Sequence, residues 1–93
     1  MYELRKYHGD RVQSLTYDDN NIAFSVGIIS PGEYQFGAIK EEIFKVNYGA
    51  ISAWTEGDKD WKTYKTGETF VIPASKNFSL KVEETSAYIC HYR

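Results

Sequence analysis

Glu42 is the residue that most needs a chemical reason for its position. It precedes Phe44, Val46 and Tyr48 in a segment of period-two alternation, so its side chain shares their apolar face. A carboxylate on a buried face costs free energy unless it is paired or has a task. Two readings stay open: an acid held for chemistry, or an acid at a strand start that satisfies backbone donors. Cys90, the one cysteine, lies inside Tyr88-Ile89-Cys90 and reads as a buried thiol rather than a nucleophile. No internal disulfide is possible, which argues against a secreted, disulfide-stapled fold. His8 and His91 are the only histidines, and neither sits at metal-ligand spacing. His8, beside Gly9-Asp10, reads as a turn residue. The chain has no glycine-rich phosphate loop and no Ser/His/Asp or Cys/His set with positional support.

The elements that must position these residues are short strands. Turn signals recur at Gly9-Asp10, Asp18-Asp19-Asn20-Asn21, Ser30-Pro31-Gly32, Tyr48-Gly49, Glu56-Gly57-Asp58, Thr66-Gly67 and Glu83-Glu84-Thr85-Ser86. Between them, β-branched and aromatic residues predict strands over 11–17, 22–29, 43–48, 50–55, 61–64, 69–72, 78–82 and 87–92. No segment carries a helical repeat of adequate length, so the fold class is all-β, a barrel or two-sheet sandwich. Alternation puts Phe78, Leu80 and Val82 on one face of their strand, and Tyr88, Cys90 and Tyr92 on one face of theirs. The whole of 1–93 reads as a single domain.

Charge narrows the function classes. Eleven Lys and Arg against 13 Asp and Glu give a formal charge of -2, with no basic stripe, which argues against a nucleic-acid partner. No apolar run reaches membrane-spanning length, and Met1-Tyr2-Glu3-Leu4-Arg5-Lys6 leads into no signal-like apolar stretch. A cytoplasmic protein with no membrane partner is the expectation. A chain of 93 residues buries a modest core, so a homodimer is expected as well. Eight Tyr, five Phe and two Trp suit strands, and they are also the residues that line ligand pockets.

Two spacings carry a resemblance. Gly67 and Pro73 are separated by five residues, the grammar of a β-corner, and Glu42 and Gly49 by six. Both spacings resemble the two motifs of the cupin barrels, whose metal-binding histidines would fall here at Phe36, Ala38 and Phe78. The chain therefore resembles a cupin-type barrel (double-stranded β-helix, or jelly roll) that lacks all three histidine ligands. A metal-dependent oxygenase or isomerase is not expected. A closer resemblance rests on Ser25-Val26-Gly27, Gly32-Glu33-Tyr34-Gln35-Phe36, Asp60-Trp61-Lys62-Thr63-Tyr64, Gly67 with Pro73, Phe78-Ser79-Leu80-Lys81-Val82 and Tyr88-Ile89-Cys90-His91-Tyr92. In order and spacing these are similar to the small bacterial cupin-fold pyrimidine/purine nucleoside phosphorylases. The first 24 residues carry little of this likeness. His91 stands where relatives can have arginine.

The resemblance implies reversible phosphorolysis: nucleoside and inorganic phosphate give free base and ribose 1-phosphate, with no metal or organic cofactor. An oxocarbenium-like transition state needs negative charge nearby, and Glu42 is the candidate catalytic residue. The base needs flat apolar faces. Tyr34, Phe36, Tyr64, Phe78 and Tyr92 are the substrate-binding candidates, each with core packing as its alternative role. Trp61 reads as a packing or dimer-interface residue. For phosphate the candidates are Lys45, Lys76, His91 and Arg93, or backbone N–H groups in the 30–32 and 73–75 corners. A non-catalytic cupin that binds a sugar or nucleotide is the competing function. A domain whose barrel is simply filled is the third.

Overall fold

The computed structural model describes residues 2–19 and 21–93; Met1 of the N-terminal segment and Asn20 of the 18–21 turn lie outside the described residues. Among the described residues there are ten strands: β1 (Tyr2–Tyr7), β2 (Val12–Asp19), β3 (Ile22–Ile29), β4 (Gly32–Ala38), β5 (Glu42–Tyr48), β6 (Ala50–Thr55), β7 (Lys62–Lys65), β8 (Thr69–Ile72), β9 (Lys76–Val82) and β10 (Ser86–Tyr92).

Eight of these match the strands expected from the sequence; β1 and β4 do not. β1 has no buried face to give it alternation, and it forms by pairing with β2 from Tyr2↔Tyr17 to Tyr7↔Val12. β4 contains Gly32 and Gly37, residues that weaken a strand signal. It is held by in-register pairing with β9, from Gly32↔Val82 to Ala38↔Lys76.

The strands form two antiparallel sheets, β1-β2-β3-β10-β5-β8 and β4-β9-β6-β7. From β3 onward the chain passes from one sheet to the other at most of its turns, which is the all-β, two-sheet architecture of a jelly roll. Gly49 makes the β5–β6 crossing. Its φ of 91° is left-handed, and a Cβ there would run into Ser86, whose hydroxyl accepts the Ala50 N–H at 3.3 Å. The core lies between the sheets and includes Phe44, Val46, Ile51, Phe70, Ile72, Leu80, Val82 and Cys90.

Alternation places most faces as expected, with Tyr48 as the exception. Ala87 pairs with Tyr48 and Tyr88 with Val46, so Asn47 is an extra residue in β5. That bulge reverses the phase, and Tyr48 is 69% exposed instead of joining Phe44 and Val46. β2 and β3 follow a different pattern. Ser14, Thr16, Ser25 and Gly27 point inward, while Leu15, Val26 and Ile28 point out. The small inward Ser14 and Thr16 leave the barrel hollow at this end, while the Tyr88 ring takes the space over Gly27.

Candidate active site

The hollow is a cavity of about 740 Å³, a volume suited to a small organic ligand. Its lining includes Glu42, Phe36, Phe78 and Tyr92 from the residues singled out in the sequence. Phe36 and Phe78 are opposite each other in the β4–β9 register, and their rings stack at 5.4 Å. Three of the four positions that a metal cupin would use as ligands, Phe36, Glu42 and Phe78, thus face one cavity. Ala38 is buried outside its lining. Among the described residues, no three His, Cys, Asp or Glu side chains converge as a metal-ligand group.

The aromatic wall is the outer part of a continuous ring ladder. Tyr64 stacks on Phe70 at 4.6 Å, Phe70 on Phe44 at 4.9 Å, and Phe44 meets Phe78 edge-on at 6.0 Å. Beyond Phe36, at the mouth, lie Tyr7 at 6.0 Å and His8 at 5.2 Å, both edge-to-face. Such pairs add to the area they bury and hold the outer rings in place. Tyr64 therefore sits at the far end of the ladder, away from the cavity. Tyr34 also lies outside the lining. Its hydroxyl donates to the Ser30 and Pro31 carbonyls, at 2.8 and 2.9 Å, which braces the β3–β4 corner.

Glu42 opens β5, opposite Tyr92 on one side and Ile72 on the other. Burial pushes its carboxyl up to about 7, against the opposing effect of the Cys90 thiol, whose Sγ donates to Oε1 over 3.7 Å. The same burial raises Cys90 itself, so it stays a neutral thiol with little nucleophilic character. It raises Tyr88 and Tyr92 as well, and both present neutral hydroxyls. A carboxyl raised toward neutrality in an aromatic-walled cavity is a candidate for chemistry. Among the described residues the Glu42 carboxyl accepts from the Cys90 thiol and from no backbone N–H.

Tyr92 is fixed by a chain of hydroxyls. Its OH shares a 2.7 Å hydrogen bond with Ser25 Oγ, and Ser25 shares one of 2.8 Å with Thr16 Oγ1. The other wall belongs to residues the sequence did not single out: Arg5 and Tyr7 of β1, and Lys40 in the β4–β5 turn. His8 also faces the cavity, with Nε2 3.1 Å from the Gln35 carbonyl. Arg5, Tyr7 and His8 belong to the missed strand β1 and its turn, where no periodicity marks a face. For Ser14 and Thr16 a signal existed, since both alternate with the buried Val12, but Leu15 made the opposite face look equally apolar.

The basic residues expected at phosphate are elsewhere. Lys45 and His91 alternate with Phe44, Cys90 and Tyr92, so both point to the outer face of the six-stranded sheet. His91 lies against Phe24 there, at 5.9 Å between rings. Arg93 is exposed beyond β10, its N–H bonded to the Glu41 carbonyl at 2.9 Å. Lys76 is exposed at the start of β9, and none of the four lines the cavity. Trp61 is half-buried on the second sheet, with Lys81 Nζ 4.4 Å over its ring.

Known proteins share this architecture. A protein of unknown function from Vibrio parahaemolyticus superposes with a TM-score of 0.94 at 34% identity, covering 100% of this chain and 99% of its own. The cupin domain of Drosophila melanogaster CENP-C superposes at 0.78 with 13% identity over 99% of this chain and 75% of its own, a likeness of fold. In sequence, a Pseudomonas putida protein named pyrimidine/purine nucleoside phosphorylase is 36% identical over 100% of this chain and 99% of its own length. A Pseudomonas aeruginosa protein of the same name is 34% identical, with 100% of both covered. The likeness thus takes in the first strands as well, which the motifs alone did not reach. The family model described as pyrimidine/purine nucleoside phosphorylase matches residues 3–92, and the chain belongs to that family.

Proposed function

We propose that the protein is a nucleoside phosphorylase that converts a purine or pyrimidine nucleoside and phosphate to free base and ribose 1-phosphate. The observation that carries this is Glu42, half-buried and shifted to about 7, facing a cavity walled by Phe36 and Phe78. In the reaction a phosphate oxygen bonds to C1′ as the C1′–N bond breaks. The electron pair leaves with the base, which takes up a proton. Positive charge grows on the sugar between those events, and the Glu42 carboxylate, in a medium of low dielectric, stabilises it. The rings of Phe36 and Phe78 offer stacking faces that suit either class of base. Arg5 and Lys40 line the same cavity, where Lys45, His91 and Arg93 do not, and they take the role of phosphate donors.

A hollow of this size weighs against a filled, purely structural barrel. Against a non-catalytic sugar or nucleotide binder, the discriminating test is turnover. Uridine and inosine should release base when phosphate is supplied and not when it is omitted. Release that ignores phosphate would exclude phosphorolysis.

The same reading includes a cytoplasmic homodimer with no metal or organic cofactor. Support for the dimer comes from the outer face of the six-stranded sheet, where Leu4, Leu15, Val26 and Ile89 form one cross-strand row. Leu4 is 54%, Leu15 47% and Val26 46% exposed, and Ile28 flanks the row. A contiguous apolar face of this kind is costly in water, and a two-fold related copy would cover it. Val26→Glu places charge at its centre and is expected to convert a dimer to a monomer in light scattering. A wild-type monomer at micromolar concentration would remove the interface.

A further inference from the structure

Thr16, Ser25 and Tyr92 are linked in a line: Thr16 Oγ1 to Ser25 Oγ at 2.8 Å, and Ser25 Oγ to Tyr92 OH at 2.7 Å. Ser25, in the middle, has no exposed surface, while Thr16 and Tyr92 at the two ends both line the cavity. Ser25 owns one proton and must satisfy it in a buried setting. It therefore donates to one neighbour and accepts from the other. Two arrangements exist. Either protons run from Thr16 through Ser25 to Tyr92, and Tyr92 donates into the cavity while Thr16 accepts; or they run the other way, and the two ends exchange roles. Rotating three hydroxyl protons converts one to the other with no movement of heavy atoms.

We propose that this chain is a polarity-reversible reader of the base edge, and that it lets one cavity accept both keto and amino bases. The inference rests on the phosphorylase reading above. Uridine and inosine present an acceptor oxygen beside an N–H donor; cytidine and adenosine present an amino donor beside a ring acceptor. A coupled pair that always offers one donor and one acceptor, and can swap them together, matches both patterns. Fixed donors would match one and leave a buried polar group unpaired with the other, a mismatch worth roughly tenfold or more in selectivity. Two strands and a third supply the parts: Thr16 and Ser25 are cross-strand partners in β2 and β3, and Tyr92 comes from β10.

The test is Thr16→Val, which leaves the buried Ser25 proton only Tyr92 as a partner and so locks Tyr92 as a donor toward the cavity. kcat/KM is measured for uridine, cytidine, inosine and adenosine. The keto-to-amino ratio is expected to move by about tenfold relative to wild type, in the same direction for the pyrimidine pair and the purine pair. Thr16→Ser should restore it. Ser25→Ala separates the two ends, each free to turn alone, and should lower rates without moving the ratio. Equal losses on all four nucleosides in Thr16→Val would show a structural or sugar-binding role and overturn the inference. Wild-type protein inactive on every nucleoside would overturn the phosphorylase reading and this inference with it.

Discussion

Glu42→Gln is expected to lower kcat by about a thousandfold on any nucleoside, with KM moving far less. In the proposed mechanism the carboxylate acts on charge that exists only in the transition state, and loss of one such interaction in a dry site is worth about a hundred- to a thousandfold. Glutamine keeps the shape and can still accept from the Cys90 thiol, so the fold should survive. The pH dependence has a definite sign. The catalytic form is the anion, so wild-type activity should rise with pH through about 7. Phosphate ionises in a neighbouring range, and whatever acid limb remains in the glutamine variant belongs to phosphate.

Stability should run the other way. The folded carboxyl titrates at about 7 against an ordinary 4.5, so the folded state holds the proton more tightly. Its contribution is fully present below pH 4.5 and is lost as pH rises through about 7. Partial exposure screens the loss to about 1–2 kcal/mol. The glutamine variant, with no charge to bury, should gain stability relative to wild type from pH 5 to pH 8, roughly the interval that this shift spans. A variant with wild-type turnover would take Glu42 out of the mechanism, and one whose relative stability is flat with pH would show that the carboxyl is not raised by burial.

The second large effect falls on Gly27. Its inward position on β3 lies directly under the Tyr88 ring, and a Cβ there would overlap the ring and its hydroxyl. Tyr88 is buried and meets Phe44 at 5.3 Å, so yielding would break that packing and push its ring into the cavity it lines. Gly27→Ala is expected to cost about 3 kcal/mol by overpacking. In a domain of this size that is a fall of roughly 12–24 °C in Tm, read by thermal melt. Tyr88→Leu in the same background empties the contested space and should recover part of the loss. A Gly27→Ala protein that melts within a degree or two of wild type would show that the ring is not held there.

These residues also show how far the sequence could be read. Phe44, Val46, Leu80 and Cys90 face the core because period-two alternation survives wherever one face is buried. Glu42 stood out for the same reason, as the polar member of an apolar series. Tyr48 broke the series because a bulge is a pairing event between β5 and β10, and one strand's sequence does not record it. The phosphate candidates lie off the cavity for a related reason. Lys45 and His91 are basic and near the right motifs, yet alternation sends them outward from the strands that carry Phe44 and Tyr92. Arg5, Tyr7 and His8 were hidden because β1 is an edge strand of exposed residues, held by its partner rather than by burial. The hydroxyl chain was beyond reach for the same kind of reason. Thr16, Ser25 and Tyr92 are ordinary strand residues until three strands bring them into line.

The central claim is that a carboxylate-bearing, aromatic-walled hollow in this barrel breaks the glycosidic bond with phosphate. Phosphorus NMR of the protein with uridine and phosphate tests it most directly. A ribose 1-phosphate resonance is expected to grow in step with free uracil, mole for mole, and Glu42→Gln should all but abolish it. Uracil formed with free ribose and no sugar phosphate, or no uracil at all, would contradict the claim.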